Sequence, residues 1–100
     1  MIDIDKINNL LKENKSEEVL DILYEEYNII FKKIAEKLGI NSSDKNTIID
    51  YIMYIKHNSD KYYGRATIIS ENLLDTDDNV SEENRIKILL EELDFWNKEI

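Results

Sequence analysis

Residues 16–38 read SEEVLDILYEEYNIIFKKIAEKL, and the spacing of their apolar side chains decides the fold class. The apolar positions recur every three or four residues: Leu20, Leu23, Tyr27, Ile30, Ile34 and Leu38. This spacing places them on one face of an α-helix, whereas an exposed strand would alternate every two residues. Ser16 is a suitable N-cap, and Gly39 is a suitable residue just past the end. We therefore predict one long helix of roughly 34 Å here.

The C-terminal part of the chain shows the same spacing. A helix is predicted from a Ser81-Glu82-Glu83 start, with an inward stripe of Ile86, Leu89, Leu93, Trp96 and Ile100. A preceding helix opens at Ser59 and turns inward Tyr62, Ala66, Ile69 and Leu73. Gly64 lies in its first turns and costs about 1 kcal/mol relative to Ala.

Two shorter helices complete the pattern. The stretch from Thr47 to Lys56 turns three isoleucines inward, with Ser43 or Asp44 as its cap and Met53 beside the inward set: Ile48, Ile52 and Ile55. Residues 3–13 form a short amphipathic helix with an inward set of Ile4, Ile7, Leu10 and Leu11. The sequence therefore predicts an all-α protein, a compact bundle of four to five mostly antiparallel helices in a single domain over residues 1–100.

Some apolar residues fall beside the predicted stripes: Ile29, Phe31, Ile68, Leu90 and Phe95. We interpret them as residues that widen the core, and the alternative is a seam between two copies of the chain. The second interpretation leads to an alternative function, a helical oligomerisation module of a larger assembly.

Composition excludes several classes of protein. The 100 residues contain no cysteine, which excludes disulfides and thiolate sites, and 35% charged residues indicate a well-solvated surface. The start, MIDIDKINNLL, lacks the basic segment of a secretory signal, and no apolar run approaches the roughly 20 residues that span a bilayer. We expect a cytoplasmic protein without a membrane partner.

The net charge of −9 is concentrated near the C-terminus, because residues 75–100 hold nine acids and three bases. A nucleic-acid backbone would be repelled by this field, so direct nucleic-acid binding is disfavoured. A basic protein would be attracted and steered to it. The charge therefore fits a basic protein partner, and it fits equally well an acidity that only keeps the protein soluble.

Residues 75–84, DTDDNVSEEN, hold five of these acids and partly resemble a calcium-binding loop. Asp75, Asp77 and Asn79 match the first, third and fifth ligand positions, but Val80 stands where glycine is needed and Ile86 where the bidentate Glu is needed. We therefore expect no metal site, and interpret the segment from Ser81 as a capped helix start.

No constellation of residues indicates catalysis. His57 is the only histidine, which excludes a histidine-rich metal site. Glu17, Asp21 and Glu25 share a helix face that we interpret as a solvated surface. Size and helical content are similar to the HEPN class, whose ribonucleases place His after Arg with four to six residues between; Arg65 lacks such a histidine. The resemblance implies at most a catalytically inactive relative, and we expect no enzyme activity and no cofactor.

Residues 57–65, HNSDKYYGR, are the best candidate for a contact with a partner. Tyr62 fits the inward stripe, which leaves Tyr63 partly exposed, and Tyr and Arg are favoured anchors of interfaces. The segment partly resembles the Ser-Asp-x-x-Tyr-Tyr contact segment of small acidic colicin immunity proteins, which are helical bundles. The spacing differs, and Gly64 replaces their proline.

We therefore hypothesise one partner-facing surface that combines this segment with the acids that follow it: Tyr63, Arg65, Asp75, Asp77 and Asp78. The alternative is a core tyrosine beside an ordinary surface tyrosine. The leading functional hypothesis is a non-enzymatic inhibitor, immunity factor, adaptor or regulatory subunit, with a partner that is itself basic. Self-association into a homo-oligomer stays open as the alternative.

Overall fold

The computed structural model describes residues 2–41, 43, 45–74 and 79–100. In these ranges the chain contains five α-helices and no strand: α1 (Ile4–Lys12), α2 (Ser16–Lys37), α3 (Ile48–Asn58), α4 (Asp60–Leu73) and α5 (Glu82–Glu99). The predicted all-α bundle is confirmed.

Helix α2 is the centre of the bundle. It packs against α1, α3 and α5, and α4 closes the arrangement by packing against both α3 and α5. Helices α2 to α5 thus form a ring around one core, and α1 lies outside this ring against α2. The buried face of α2 supplies more core residues than any other helix in the described part of the chain: Val19, Leu23, Tyr27, Ile30, Phe31, Ile34 and Ala35.

Contacts of α5 fix two helix directions. Lys61 pairs with Glu99 near one end of α4, and the Arg85 side chain donates to the Asn72 carbonyl near the other, so α4 and α5 run antiparallel as predicted. Helix α2 contacts α5 in the opposite sense, because residues later in α2 meet residues later in α5: Tyr27 with Leu89, Phe31 with Trp96, and Lys37 with Glu99. These two helices are distant in sequence and run parallel.

Trp96 is the centre of an aromatic cluster that joins α2, α4 and α5. Its ring centroid lies 4.8 Å from that of Phe31, 5.1 Å from Phe95 and 5.6 Å from Tyr62. Aromatic pairs at such distances contribute about 0.5–1.5 kcal/mol beyond their buried area. The cluster holds the start of α4 against the last turns of α5, next to the candidate contact segment.

Three predicted helix ends are confirmed. Gly39 has φ 101° just past α2, Ser59 is the N-cap of α4, and the Ser81 hydroxyl accepts a hydrogen bond from the Asn84 amide at 3.2 Å. Only glycine adopts such a φ without steric cost, so Gly39 ends α2 where the sequence indicated.

Two predicted caps are wrong. Ser16 is the first residue of α2, and the N-cap is Lys15, which makes no side-chain cap bond. Helix α3 begins after Thr47, whose amide donates to the Asp50 carboxylate at 2.7 Å. This hydrogen bond satisfies an amide at the helix start, so the N-cap of α3 is Thr47, which lies later in the chain than Ser43 or Asp44. The placement of Asp44 lies outside the described residues.

Three residues predicted to point inward or to flank the core are exposed instead. Ile4 lies in the first turn of α1, and Ile100 follows the last residue of α5, so both are at helix ends and are exposed. Met53 lies on the side of α3 that neither α2 nor α4 covers. A helical stripe predicts which side chains share a face, but the cover over that face depends on the neighbouring helices.

Candidate protein-binding surface

Tyr63 lies on the exposed side of α4, beside the end of α3. The Nζ of Lys56 on α3 is 4.9 Å from the centroid of its ring. A cation over an exposed aromatic face contributes about 0.5–1 kcal/mol, so the contact orients the ring without covering it. Tyr63 is therefore partly exposed, as predicted, and is held in a defined position.

Arg65 lies on the other flank of α4, because two helix positions turn the chain by about 200°. Its Nη1 is 3.0 Å from the Glu92 Oε2 on α5, and its guanidinium carbon is 3.9 Å from the Phe95 ring centroid. The planar guanidinium can stack and form an ion pair at once. Arg65 thus joins α4 to α5, although its side chain stays about half exposed.

The structure brings Tyr63 towards α3 and Arg65 towards α5, so these two predicted contact residues do not lie side by side. Asp75, Asp77 and Asp78 lie outside the described residues. The combined surface that the sequence suggested stays a prediction.

A different set of residues lies beside Tyr63. Ile49 and Met53 are one helical turn apart on α3, Lys56 follows on the same side, and the Lys56 Nζ lies over the Tyr63 ring. The three apolar members are 55%, 48% and 54% exposed for Ile49, Met53 and Tyr63. We call Ile49, Met53, Lys56 and Tyr63 the α3–α4 row.

Ile49 and Met53 were missed as contact residues. The signal is present in TIIDYIMYI, residues 47–55, where apolar residues occupy more of the helix circumference than one buried stripe needs. The buried residues of α3 are Ile48, Tyr51, Ile52 and Ile55. Of the remaining apolar residues of α3, Tyr54 is half-buried against the core, and Ile49 and Met53 are exposed and belong to the row.

The end of α5 fixes the start of α4 near this row. Lys61 Nζ lies 3.2 Å from the Glu99 Oε1. The hydrogen bond to Glu99, followed by the negative charge of Glu99, raises the pKa of Lys61. Lys61 also lies over the Tyr62 ring at 5.2 Å. The first turn of α4 therefore contacts the last turn of α5 through Lys61.

The His, Asp and Glu side chains of the described residues are the candidates for binding a metal ion. Within the part of the chain that the structure describes, no three His, Asp or Glu side chains are grouped closely enough to hold a metal ion. His57 lies exposed in the last turn of α3. Glu17, Asp21 and Glu25 lie exposed along α2, as expected for a solvated face.

No helix in the described ranges combines the length and the apolar content that a bilayer crossing requires. Comparisons with protein-family models, with curated protein sequences and with solved structures give no significant match.

Proposed function

We propose that this protein is a non-enzymatic, cytoplasmic interaction module that binds a basic protein partner, as an inhibitor, immunity factor, adaptor or regulatory subunit. The observation that carries the proposal is the α3–α4 row. Single exposed apolar side chains are common on soluble proteins, but neighbouring ones mark interaction sites. The row joins three such side chains on two rigid helices.

The residue types in the row fit a contact with another protein. Tyrosine offers a large apolar area with a polar end and loses little conformational entropy when it is ordered. Methionine adapts to irregular partner surfaces. Because Lys56 already holds the Tyr63 ring, the row needs little rearrangement before it binds.

The charge of the chain supports a basic partner. The net charge is −9, and residues 75–84 place five acids shortly after the helix that carries Tyr63. A field of this sign raises the encounter rate with a basic protein and disfavours acidic competitors. The row would supply contact area, and the acids would supply the attraction over distance.

Affinity capture from the native cell tests the proposal with three immobilised proteins. These are the natural chain, an Ile49→Ser/Tyr63→Ala variant of the row, and a matched control, Ile4→Ser/Tyr24→Ala. The control removes an exposed isoleucine and an exposed tyrosine from α1 and α2. Exposed substitutions change stability by about 0.5 kcal/mol or less, so all three proteins should fold.

We expect the natural chain and the control to capture the same basic protein in equal amounts. The row variant should capture at least about tenfold less of it, as loss of one interface anchor would produce. A partner that the row variant retains in full would contradict the role of the row. A captured partner with a net negative charge would contradict the charge argument.

A further inference from the structure

The outer face of α2 carries an exposed apolar residue that does not belong to the α3–α4 row. Ile29 lies near the middle of α2 and is 49% exposed. Glu25 and Glu26 precede it by about one turn, and Lys32 and Lys33 follow it by about one turn. We call these five residues the α2 stripe.

Ile29 borders two surface cavities. One, of about 400 Å³, lies between α1 and α2 and includes Ile2 and Ile22 in its wall. The other, of about 240 Å³, lies between α2 and the end of α5 and includes Ile30 and Ile100. Apolar walls on both sides of an exposed isoleucine offer contact area to a second helix laid along α2.

The charges of the stripe reverse about Ile29. With about 100° per residue, Glu25 and Lys32 lie on one side of Ile29, and Glu26 and Lys33 lie on the other. Each side therefore has an acid towards the N-terminus and a lysine towards the C-terminus. A helix with the same charges in the reverse direction is its complement.

We propose that the α2 stripe binds the α2 stripe of a second copy of this chain, antiparallel, with the two-fold axis at Ile29. Such an axis pairs a surface with itself. It reverses the direction of the second α2, and it places each side of one stripe opposite the same side of the other. Glu25 then meets Lys32 of the second copy, and Glu26 meets Lys33. The operation gives four ion pairs around two Ile29 side chains in contact.

Other occupants fit the stripe less well. A parallel second copy would place Glu beside Glu and Lys beside Lys, and a uniformly basic segment would be repelled by Lys32 and Lys33. The like charges of Asp21 and Glu36 lie at the edge of this contact, because both residues are about two turns from Ile29 and Asp21 points about 80° away from it around the helix. The proposal uses α2 and does not rest on the α3–α4 row or on the proposed function.

Sedimentation equilibrium of the purified chain tests the proposal. In about 0.15 M salt, we expect the mass to rise from 11.9 kDa towards twice that value as the concentration rises from about 10 μM to about 1 mM. Glu25→Lys/Glu26→Lys and Lys32→Glu/Lys33→Glu should each stay monomeric, because every contact across the axis becomes a like-charge pair. An equimolar mixture of the two variants should form a heterodimer.

The matched control is Glu91→Lys/Asp94→Lys, which makes the same charge change at exposed positions of α5 and should dimerise like the natural chain. Glu25→Lys/Glu26→Lys and Glu91→Lys/Asp94→Lys both bring the net charge closer to zero. The weaker overall repulsion between copies would by itself make both variants associate more than the natural chain. A natural chain that stays monomeric at about 1 mM would overturn the proposal. So would association of the Glu25→Lys/Glu26→Lys variant equal to that of the natural chain, or a mixture of the two variants that stays monomeric.

Discussion

Tyr27 shows how a single residue links the two parallel helices of the bundle. It is fully buried on α2, and its hydroxyl donates a hydrogen bond to the Leu89 carbonyl on α5. Burial, followed by the charges of Glu92 and Glu26, raises the pKa of this hydroxyl well above its ordinary value. The neutral form is therefore the only one that the folded core accommodates at ordinary pH.

This raised pKa predicts a loss of stability at alkaline pH. Up to about pH 10 the hydroxyl is neutral in both the folded and the unfolded chain, so its burial costs nothing extra. Above about pH 10 the unfolded chain loses this proton while the folded chain keeps it, and stability falls by up to about 1.4 kcal/mol per pH unit. Tyr27→Phe should be about 1 kcal/mol less stable at neutral pH, but its stability should fall less steeply above pH 10.

Urea unfolding at a series of pH values, followed by the fluorescence of Trp96, measures this difference. Trp96 is the single tryptophan and is buried, so its emission reports the loss of the core. Tyr24→Phe is the control, because Tyr24 is partly exposed on the same helix and should follow the natural chain. Parallel pH profiles for the natural chain and Tyr27→Phe would contradict the interpretation.

At this scale the sequence predicted much of the core, including Leu23, Tyr27, Ile30 and Ile34, because helical spacing determines which residues share a face. It could not predict that Tyr27 bonds to Leu89 or that Arg65 pairs with Glu92. The first contact joins residues that are 62 positions apart in the sequence, and the second joins residues that are 27 positions apart. The formation of both depends on how whole helices pack. Ile49 was missed for a different reason, because the surplus of apolar residues in TIIDYIMYI was visible in the sequence.

At the scale of the helices, the two glycines have opposite roles. Gly39 ends α2 with φ 101°, and a Cβ added there would lie 3.5 Å from the Tyr54 hydroxyl. Gly64 lies inside α4, and a Cβ added there would have no neighbour within 4 Å apart from its own helix. The first glycine is required by the backbone, and the second only lowers the helix propensity of α4.

Gly64→Ala should therefore stabilise the chain by about 0.5–1 kcal/mol, because alanine reduces the backbone freedom of the unfolded state and fits the helix. Gly39→Ala should destabilise it by about 1 kcal/mol or more, since alanine rarely adopts a positive φ. Chemical denaturation of both variants measures the two changes. A Gly64→Ala variant that is less stable than the natural chain would show that α4 is strained at this position.

At the scale of the whole molecule, the ring of α2 to α5 leaves apolar residues exposed on two separate surfaces. The α3–α4 row lies on the side of α3 and α4, and the α2 stripe lies along the outside of α2. The sequence predicted the ring's helices and the surplus of apolar flanks. The interpretation of the flanks as core is confirmed for Phe31, which is buried, and wrong for Ile29, which is exposed, because the cover over each flank depends on the neighbouring helices.

We propose that this acidic bundle binds a basic protein and that Asp75, Asp77 and Asp78 steer the encounter. The direct test is the association rate of the captured partner, measured between about 0.05 and 0.5 M salt for the natural chain and for Asp77→Lys/Asp78→Lys. Glu91→Lys/Asp94→Lys, with the same change in charge on α5, is the control.

We expect the rate for the natural chain to fall by about tenfold or more as salt rises, because screening removes the steering. Asp77→Lys/Asp78→Lys should bind more slowly than the control at low salt, with a weaker dependence on salt. An association rate that is unaffected by salt and equal in all three proteins would contradict the account.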